Sequence, residues 1–130
     1  MLEKLEALNP KAGCRFCRAN NMLMDEPLFE NPTFFILGSI DLAAPAAVMI
    51  VSHRHVSDPF ELDSSELANL PAALGYAKTY LSKFSPNGYT IGWNVGEAAG
   101  QTVQHAHLHV MARHSPPGIP GHGIRYLVLG

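Results

Sequence analysis

The sequence predicts one domain that mixes strands with a single long helix, and three features lead to that reading. Apolar runs of strand length recur at 28–30, 33–40, 46–51, 89–94 and 103–113. One helical repeat of leucines occupies 64–84, and no internal repeat or low-complexity stretch divides the chain. At 130 residues with 47% apolar composition, residues 1–130 can bury one core, so a single domain is expected.

Each element has a local reason. Leu2, Leu5 and Leu8 recur at helical spacing, and Asn9-Pro10 ends that short amino-terminal helix because a residue before proline avoids the helical region. The strands at 28–30 and 33–40 flank an Asn31-Pro32 turn. Residues 46–51 are almost continuously apolar between Pro45 and Ser52, which reads as a buried central strand. Asp63 or Ser64 can cap the long helix, with Glu66 placed for a capping box. Leu67, Leu70, Leu74, Ala77 and Leu81 then keep helical spacing to about Phe84, while Pro71 removes one backbone donor and predicts a kink or a late start. Ser85-Pro86-Asn87-Gly88 ends the helix. A strand at 89–94, a Gly-rich loop at 95–102 and a strand at 103–113 follow. Residues 115–123 form a Pro/Gly loop, and 124–129 reads as a last strand.

A net charge of −2, with 15% charged residues and no basic cluster, argues against extended nucleic-acid binding, where many phosphates must be neutralised. It leaves room for a small phosphate ligand held by backbone amides and a few polar groups. Residues 1–6 are too charged for the apolar core of a signal peptide, and no apolar stretch approaches the roughly 18 residues of a membrane span. A soluble, cytoplasmic protein with no membrane contact is therefore expected. In a reducing compartment the pair Cys14 and Cys17 points to a metal or a redox dithiol more than to a structural disulfide. The strand-like runs follow the pair instead of preceding it, which favours metal over a thioredoxin-type motif.

His105, His107 and His109 alternate with Ala106, Leu108 and Val110. On a strand, all three imidazoles would leave one face roughly 7 Å apart. Three on one face are hard to explain as packing, because imidazole can act as nucleophile, proton donor or metal ligand near neutral pH. Upstream, Gly96 and Gly100 permit turns that direct amides inward, and Gln101 and Thr102 supply further donors. Phe16 and the apolar residues of 35–40 could wall a base pocket or belong to the core.

The run His105-Ala106-His107-Leu108-His109-Val110-Met111, preceded by Gly100-Gln101-Thr102-Val103 and by Asn94, resembles the signature of the histidine triad superfamily, and the likeness extends from about Cys14 to Val110. The resemblance implies an α+β fold: about five antiparallel strands with one long helix, commonly paired in a dimer. It also implies hydrolysis or transfer of nucleoside monophosphate groups at a phosphorus centre. His107 would be the nucleophile, forming a covalent nucleotidyl-histidine that water cleaves. For that, one ring nitrogen must be free and the other must donate to a fixed acceptor, such as a nearby backbone carbonyl. His109 would donate to the phosphate oxygens and deliver a proton to the leaving group, or act as a support. Asn94, Gln101, Thr102 and Val103 would contact phosphate or ribose. Ser39 falls near the position where many triad proteins carry an acid for the ribose, the nearest acid here being Asp41.

Cys14, Cys17, His55 and His105 resemble the four ligands of a structural Zn²⁺ found in a subset of the superfamily. In metal-free members the two histidines instead support the nucleophile. His53 is expected to be exposed at a strand end. Arg125, near His122, could reach a polyphosphate or lie at the surface. The function expected is a hydrolase acting on a nucleoside 5′-monophosphoryl group, in a phosphoramidate, a dinucleoside polyphosphate or a similar compound. Alternatives are a nucleotidyl transferase, against which His109 argues, or a nucleotide-binding or interaction module with little turnover. A homodimer is expected too, because Leu67, Leu70, Leu74, Tyr76, Ala77, Tyr80 and Leu81 form a band wider than one sheet face needs. The strand at 89–94 could pair with its mate and hide an edge.

Overall fold

The computed structural model describes residues 7–38, 46–115 and 117–129. Five strands form one antiparallel sheet: β1 (Phe29–Glu30), β2 (Phe34–Gly38), β3 (Ala47–Ser52), β4 (Gly88–Trp93) and β5 (His107–Arg113). Their order is β1-β2-β3-β5-β4, so β3 and β5 lie inside the sheet and β4 is an edge. The connection from β3 to β4 carries α1 (Ser64–Leu67) and α2 (Leu70–Leu81), continued by a 3₁₀ turn at Ser82–Phe84. This is the expected α+β arrangement with one long helix.

Local chemistry explains the joints. Between β1 and β2, the Asn31 carboxamide oxygen accepts from the amides of Thr33 (3.0 Å) and Phe34 (2.8 Å), and its amide donates to the Asn69 carbonyl (3.0 Å). One side chain thus closes the turn and ties it to the helical layer. Asp63 and Glu66 make the capping box, with Glu66 N–H donating to Asp63 and Asp63 N–H donating to Glu66. The helix breaks at Ala68 and Asn69, and Pro71 falls in the first turn of α2, where its missing N–H has no helical partner to lose. The proline gives a late start.

The two faces of the sheet differ. Strand pairing puts Phe34, Ile36, Val48, Ile50, Leu108 and Val110 on one face, where Ala73, Ala77 and Leu81 of α2 pack against them. The three helix residues are fully buried and four apart, and two of them are alanines that let the backbone approach closely. The opposite face carries Phe35, Leu37, Met49, Val51, His107 and His109. Phe16, Leu23 and Val103 cover part of it. With both faces of β3 covered, its nearly continuous apolar sequence is accounted for.

Three expectations change. The histidine strand begins at His107, and residues 103–106 are irregular, because the His105 and Ala106 amides bond to the carbonyls of Val103 and Val56. Residues 124–129 form a helix, α3 (Ile124–Leu129), not a last strand. Arg113 donates to the His122 carbonyl (2.7 Å), drawing the chain across the sheet, and Ile124 Cδ1 stands 3.7 Å from where a Cβ on Gly92 would be. The segment therefore lies over a face instead of extending an edge, and a short apolar run does not distinguish these outcomes by periodicity. His53 is mostly buried, not exposed. Its ring tilts against Phe35, 5.1 Å between centroids, and Nε2 donates to the Asn31 carbonyl (3.0 Å). Of the amino-terminal helix, Ala7 and Leu8 are helical and the rest lies outside the described residues.

Candidate functional site

Two centres share the face opposite α2, and His105 joins them. The first is a cluster of Cys14, Cys17, His55 and His105, whose ligand atoms all lie within 4.8 Å of one another. The two cysteines sit on a tight turn. Cys14 N–H donates to the Lys11 carbonyl, Cys17 N–H to the Cys14 carbonyl, and the Asn20 amide ties both carbonyls at 2.8 Å. His55 follows β3 and His105 precedes β5, so the two inner strands deliver the imidazoles. Cys14 Sγ is 3.4 Å from His105 Nδ1, Cys17 Sγ is 3.3 Å from His55 Nδ1, and the two Nδ1 atoms are 3.2 Å apart.

Outer contacts orient this set. His105 Nε2 lies 2.6 Å from the Ser52 carbonyl, which can only accept, so the proton is on Nε2 and the Nδ1 lone pair faces the thiols. Burial lowers the His105 pKa to about 4, keeping the ring neutral as a ligand must be. Burial also pushes the Cys17 thiol up to about 11, so ionising it calls for a neighbouring cation. The donor set and its geometry can hold a metal ion.

The second centre is His107 with His109. His107 is 5% exposed, and its Nδ1 lies 2.7 Å from the carbonyl oxygen of His105. That carbonyl accepts the Nδ1 proton, leaving the lone pair on Nε2. The His107 ring meets Phe16 edge-on at 5.1 Å and His109 at 5.0 Å. Burial lowers the pKa of both rings. In His107 the bond to His105 opposes the shift and the Arg15 charge adds to it, while in His109 the nearby His107 adds to it. A neutral imidazole with one nitrogen fixed and the other free is a competent nucleophile.

The loop before the triad is organised differently from expectation. Gln101 is buried, its carbonyl oxygen accepting from Gly96 N–H (2.8 Å) and its amide donating to Ser57 (2.6 Å) and Val103 (3.0 Å) carbonyls. Its side chain shapes the loop and has no donor left for a phosphate. Gly96 (φ 83°) and Gly100 (φ 90°) take backbone angles that favour glycine. Asn94 follows the end of β4 and is exposed, as is Thr102, and Val103 packs beneath the loop. Ser39 and Asp41 lie outside the described residues.

Two cavities flank Phe16. Arg15, Phe16, Met22, Leu37 and Met49 help line a small, mainly apolar one of about 80 Å³. Lys11, Cys14, Arg15, His55, Thr102 and Gln104 line part of a more open one of about 390 Å³. Only the second reaches the ~300–1,000 Å³ typical of small-molecule sites, and the first is a narrow slot beside Phe16. Arg15 belongs to both and has no motif to announce it beyond its place inside the Cys-x-x-Cys turn. His122 and Arg125 are exposed on the carboxy-terminal segment, where the His122 ring stacks on Tyr126 at 3.7 Å.

Comparison with known proteins gives the family and the fold. Residues 23–116 match the HIT domain family. An uncharacterized HIT-like protein of Methanocaldococcus jannaschii is 26% identical over 106 residues, covering 81% of this chain and 82% of that protein. A HIT family hydrolase from Clostridium thermocellum superposes with a TM-score of 0.67 at 26% identity, covering 86% of this chain and 98% of the other. The asymmetrical bis(5′-nucleosyl)-tetraphosphatase of Schizosaccharomyces pombe is 34% identical over 70 residues, which is 53% of this chain and 38% of that enzyme. The chain thus spans well under half of the yeast enzyme.

Proposed function

This chain belongs to the HIT domain family, and from that premise we propose that it hydrolyses nucleotides linked through the α-phosphorus, with His107 as nucleophile. One observation carries the reading: the 2.7 Å bond from His107 Nδ1–H to the His105 carbonyl, which leaves Nε2 free to attack. The Nε2 lone pair forms an N–P bond while the bond from phosphorus to the leaving group breaks, and the leaving group takes that electron pair. Water then adds to phosphorus and the N–P electrons return to Nε2. The nucleoside monophosphate is released, and the remaining proton passes to the departing group or to solvent.

His109 donates through its N–H to a phosphate oxygen, and Asn94, Thr102 and Val103 border the phosphate. The apolar cavity beside Phe16 takes the base, with Ser39 for the ribose. The relatives support this chemistry. By its name the yeast protein acts on bis(5′-nucleosyl) tetraphosphates, and the clostridial one is a hydrolase.

The metal is Zn²⁺ and structural. With Zn–S of about 2.3 Å and Zn–N of about 2.0 Å, tetrahedral ligands stand about 3.3–3.8 Å apart. Three of the sulfur–nitrogen separations here are 3.3, 3.4 and 3.6 Å, the nitrogen pair is at 3.2 Å, and all four ligand atoms lie within 4.8 Å of one another. Bound there, the ion would hold both thiols as thiolates and clamp the amino-terminal turn onto the sheet. Four protein ligands leave it no open position for chemistry. Free thiols suit a reducing cytoplasm, and the active form is a homodimer.

The test is His107→Ala with a dinucleoside tetraphosphate as substrate. Turnover should be lost while nucleotide affinity stays within about tenfold, since one phosphate contact is removed along with the nucleophile. Wild-type enzyme quenched in acid-free denaturant should carry a nucleotidyl adduct on His107 by mass spectrometry. A variant retaining more than about a tenth of the wild-type rate would put the nucleophile elsewhere.

A further inference from the structure

Attack by His107 and seating of the base beside Phe16 leave other cavities unused. Those lined by Asp25, Glu26 and Glu30 and by Asp63 and Glu66 carry carboxylates, and the open one between the Cys-x-x-Cys turn and the loop that leads into the triad carries cations. Cys14 and His55 of the cluster also line it, and its charged and polar walls come from distant stretches of the chain. Lys11 and Arg15 stand on one side, with Thr102 and Gln104 on the other. Both cations are exposed, and neither makes an ion pair among the described residues, where the ion pairs engage Arg18, His53 and Arg54. Two positive charges without an ion-pair partner, on a cavity that Thr102 also lines, describe a place for an anion.

Position relative to the nucleophile narrows the choice of anion. The Arg15 guanidinium sits 5.1 Å from the Phe16 ring centroid, and that ring meets His107 at 5.1 Å. Arg15 is also the partition between the two cavities. A substrate of this site has three parts: an uncharged aromatic base, the phosphorus under attack, and whatever departs. With the base among Met22, Leu37 and Met49 and the phosphorus at His107, the departing group falls to the cationic cavity.

We propose that Lys11 and Arg15 form a leaving-group subsite for the outer phosphates of a polyphosphate, making phosphoanhydrides the preferred substrate class over phosphoramidates. The proposal rests on the hydrolase reading and deepens it. A polyphosphate leaves as a stable anion, taking the P–O electron pair, and its new charge is met by the guanidinium and the ammonium. An amine must instead be protonated as it departs. His109, held below the ordinary imidazole range by burial and by His107 beside it, starts the cycle neutral and so is poorly placed to supply that proton.

The experiment compares a dinucleoside tetraphosphate with a phosphoramidate of the same nucleoside, in the zinc-loaded protein. In Lys11→Ala/Arg15→Ala, the ratio of kcat/KM for tetraphosphate over phosphoramidate should fall at least tenfold, chiefly through KM. Arg15→Lys in the otherwise native chain should keep an intermediate ratio, because a point charge replaces a planar fork. An unchanged ratio, with both substrates losing equally, would overturn the subsite and leave Arg15 acting on the α-phosphate or on the fold. If wild-type protein turned over neither substrate, the hydrolase reading would fail by itself. The subsite would then be decided by calorimetry with inorganic tripolyphosphate, metal content being followed so that chelation is not counted as binding. Binding abolished in the double variant supports it, and no binding to the wild type overturns it.

Discussion

His105 serves both centres with different atoms. Its ring offers Nδ1 to the thiols, and its backbone carbonyl takes the Nδ1 proton of His107. Any shift of His105 therefore moves the nucleophile's anchor directly. The His107 environment has a consequence in pH. Burial, opposed by the His105 bond and assisted by the Arg15 charge, holds its pKa below the ordinary 6.5. The active form is neutral, so a lowered pKa extends activity toward acid. The acid limb of kcat/KM should lie below pH 6.5, with rates flat from pH 8 to that point and lost only as pH falls through the lowered value. A profile already falling at pH 7 would contradict the assignment. Removing the Arg15 charge should move this limb upward.

At the scale of elements, the loop and the Cys-x-x-Cys turn decide whether the site is formed. Gln101 satisfies three backbone groups at once, and Gln101→Ala leaves Gly96 N–H and the Ser57 carbonyl without this partner, while the Val103 carbonyl keeps the His105 amide. A fully buried unsatisfied group costs about 1–3 kcal/mol, and with these groups part-buried the variant should lose about 1 kcal/mol in urea unfolding, with KM raised as the loop relaxes. Cys14→Ser tests the turn. Purified wild type should contain one zinc per chain by elemental analysis, and the variant should lose it. Its stability should fall by roughly 3 kcal/mol or more, a fraction of the ~10–16 kcal/mol such sites contribute in small zinc domains. Wild type free of zinc in every preparation would return His55 and His105 to the role of hydrogen-bonded supports.

For the whole molecule, the order β1-β2-β3-β5-β4 puts His107 and His109 on a strand paired on both sides, which fixes their register. The edge strand β4 has no partner on its outer side among the described residues, and Ile91 on it is 45% exposed. Part of the wide helical band is used within the chain, since Tyr76 stacks on Phe29 at 4.8 Å. Leu67 and Phe84 stay exposed. The chain should run near twice its 14.1 kDa in light scattering at micromolar concentration, and Ile91→Lys should shift it toward monomer. A clean wild-type monomer would show that β4 is not a dimer edge. Among the described residues no helix is long and apolar enough to cross a membrane.

What the sequence determined by itself was local. An apolar run beside the Asn31-Pro32 turn marked β2, alternation marked β5, Asp63-Ser64-Ser65-Glu66 marked the helix start, and Pro71 marked its interruption. Residue type and spacing singled out the triad and the Cys14/Cys17 pair, and the resemblance to the histidine triad superfamily added His55 and His105 to that pair. Tertiary structure decided the rest. Cys14 meets His105 across 91 positions, a contact that exists only once β3 and β5 lie side by side. His105 leaves the strand because its amide bonds to Val103, which is how it reaches the cluster while His107 stays in register. Gln101 proved to be a brace because it ties its own loop, at Gly96 and Val103, to the distant Ser57. Residues 124–129 form a helix, and the Arg113 bond to the His122 carbonyl takes part in placing that segment over the sheet. The company Lys11 and Arg15 keep with Thr102 and Gln104 had no signal in the sequence at all, because charge convergence from opposite ends of a chain is a property of packing and not of spacing.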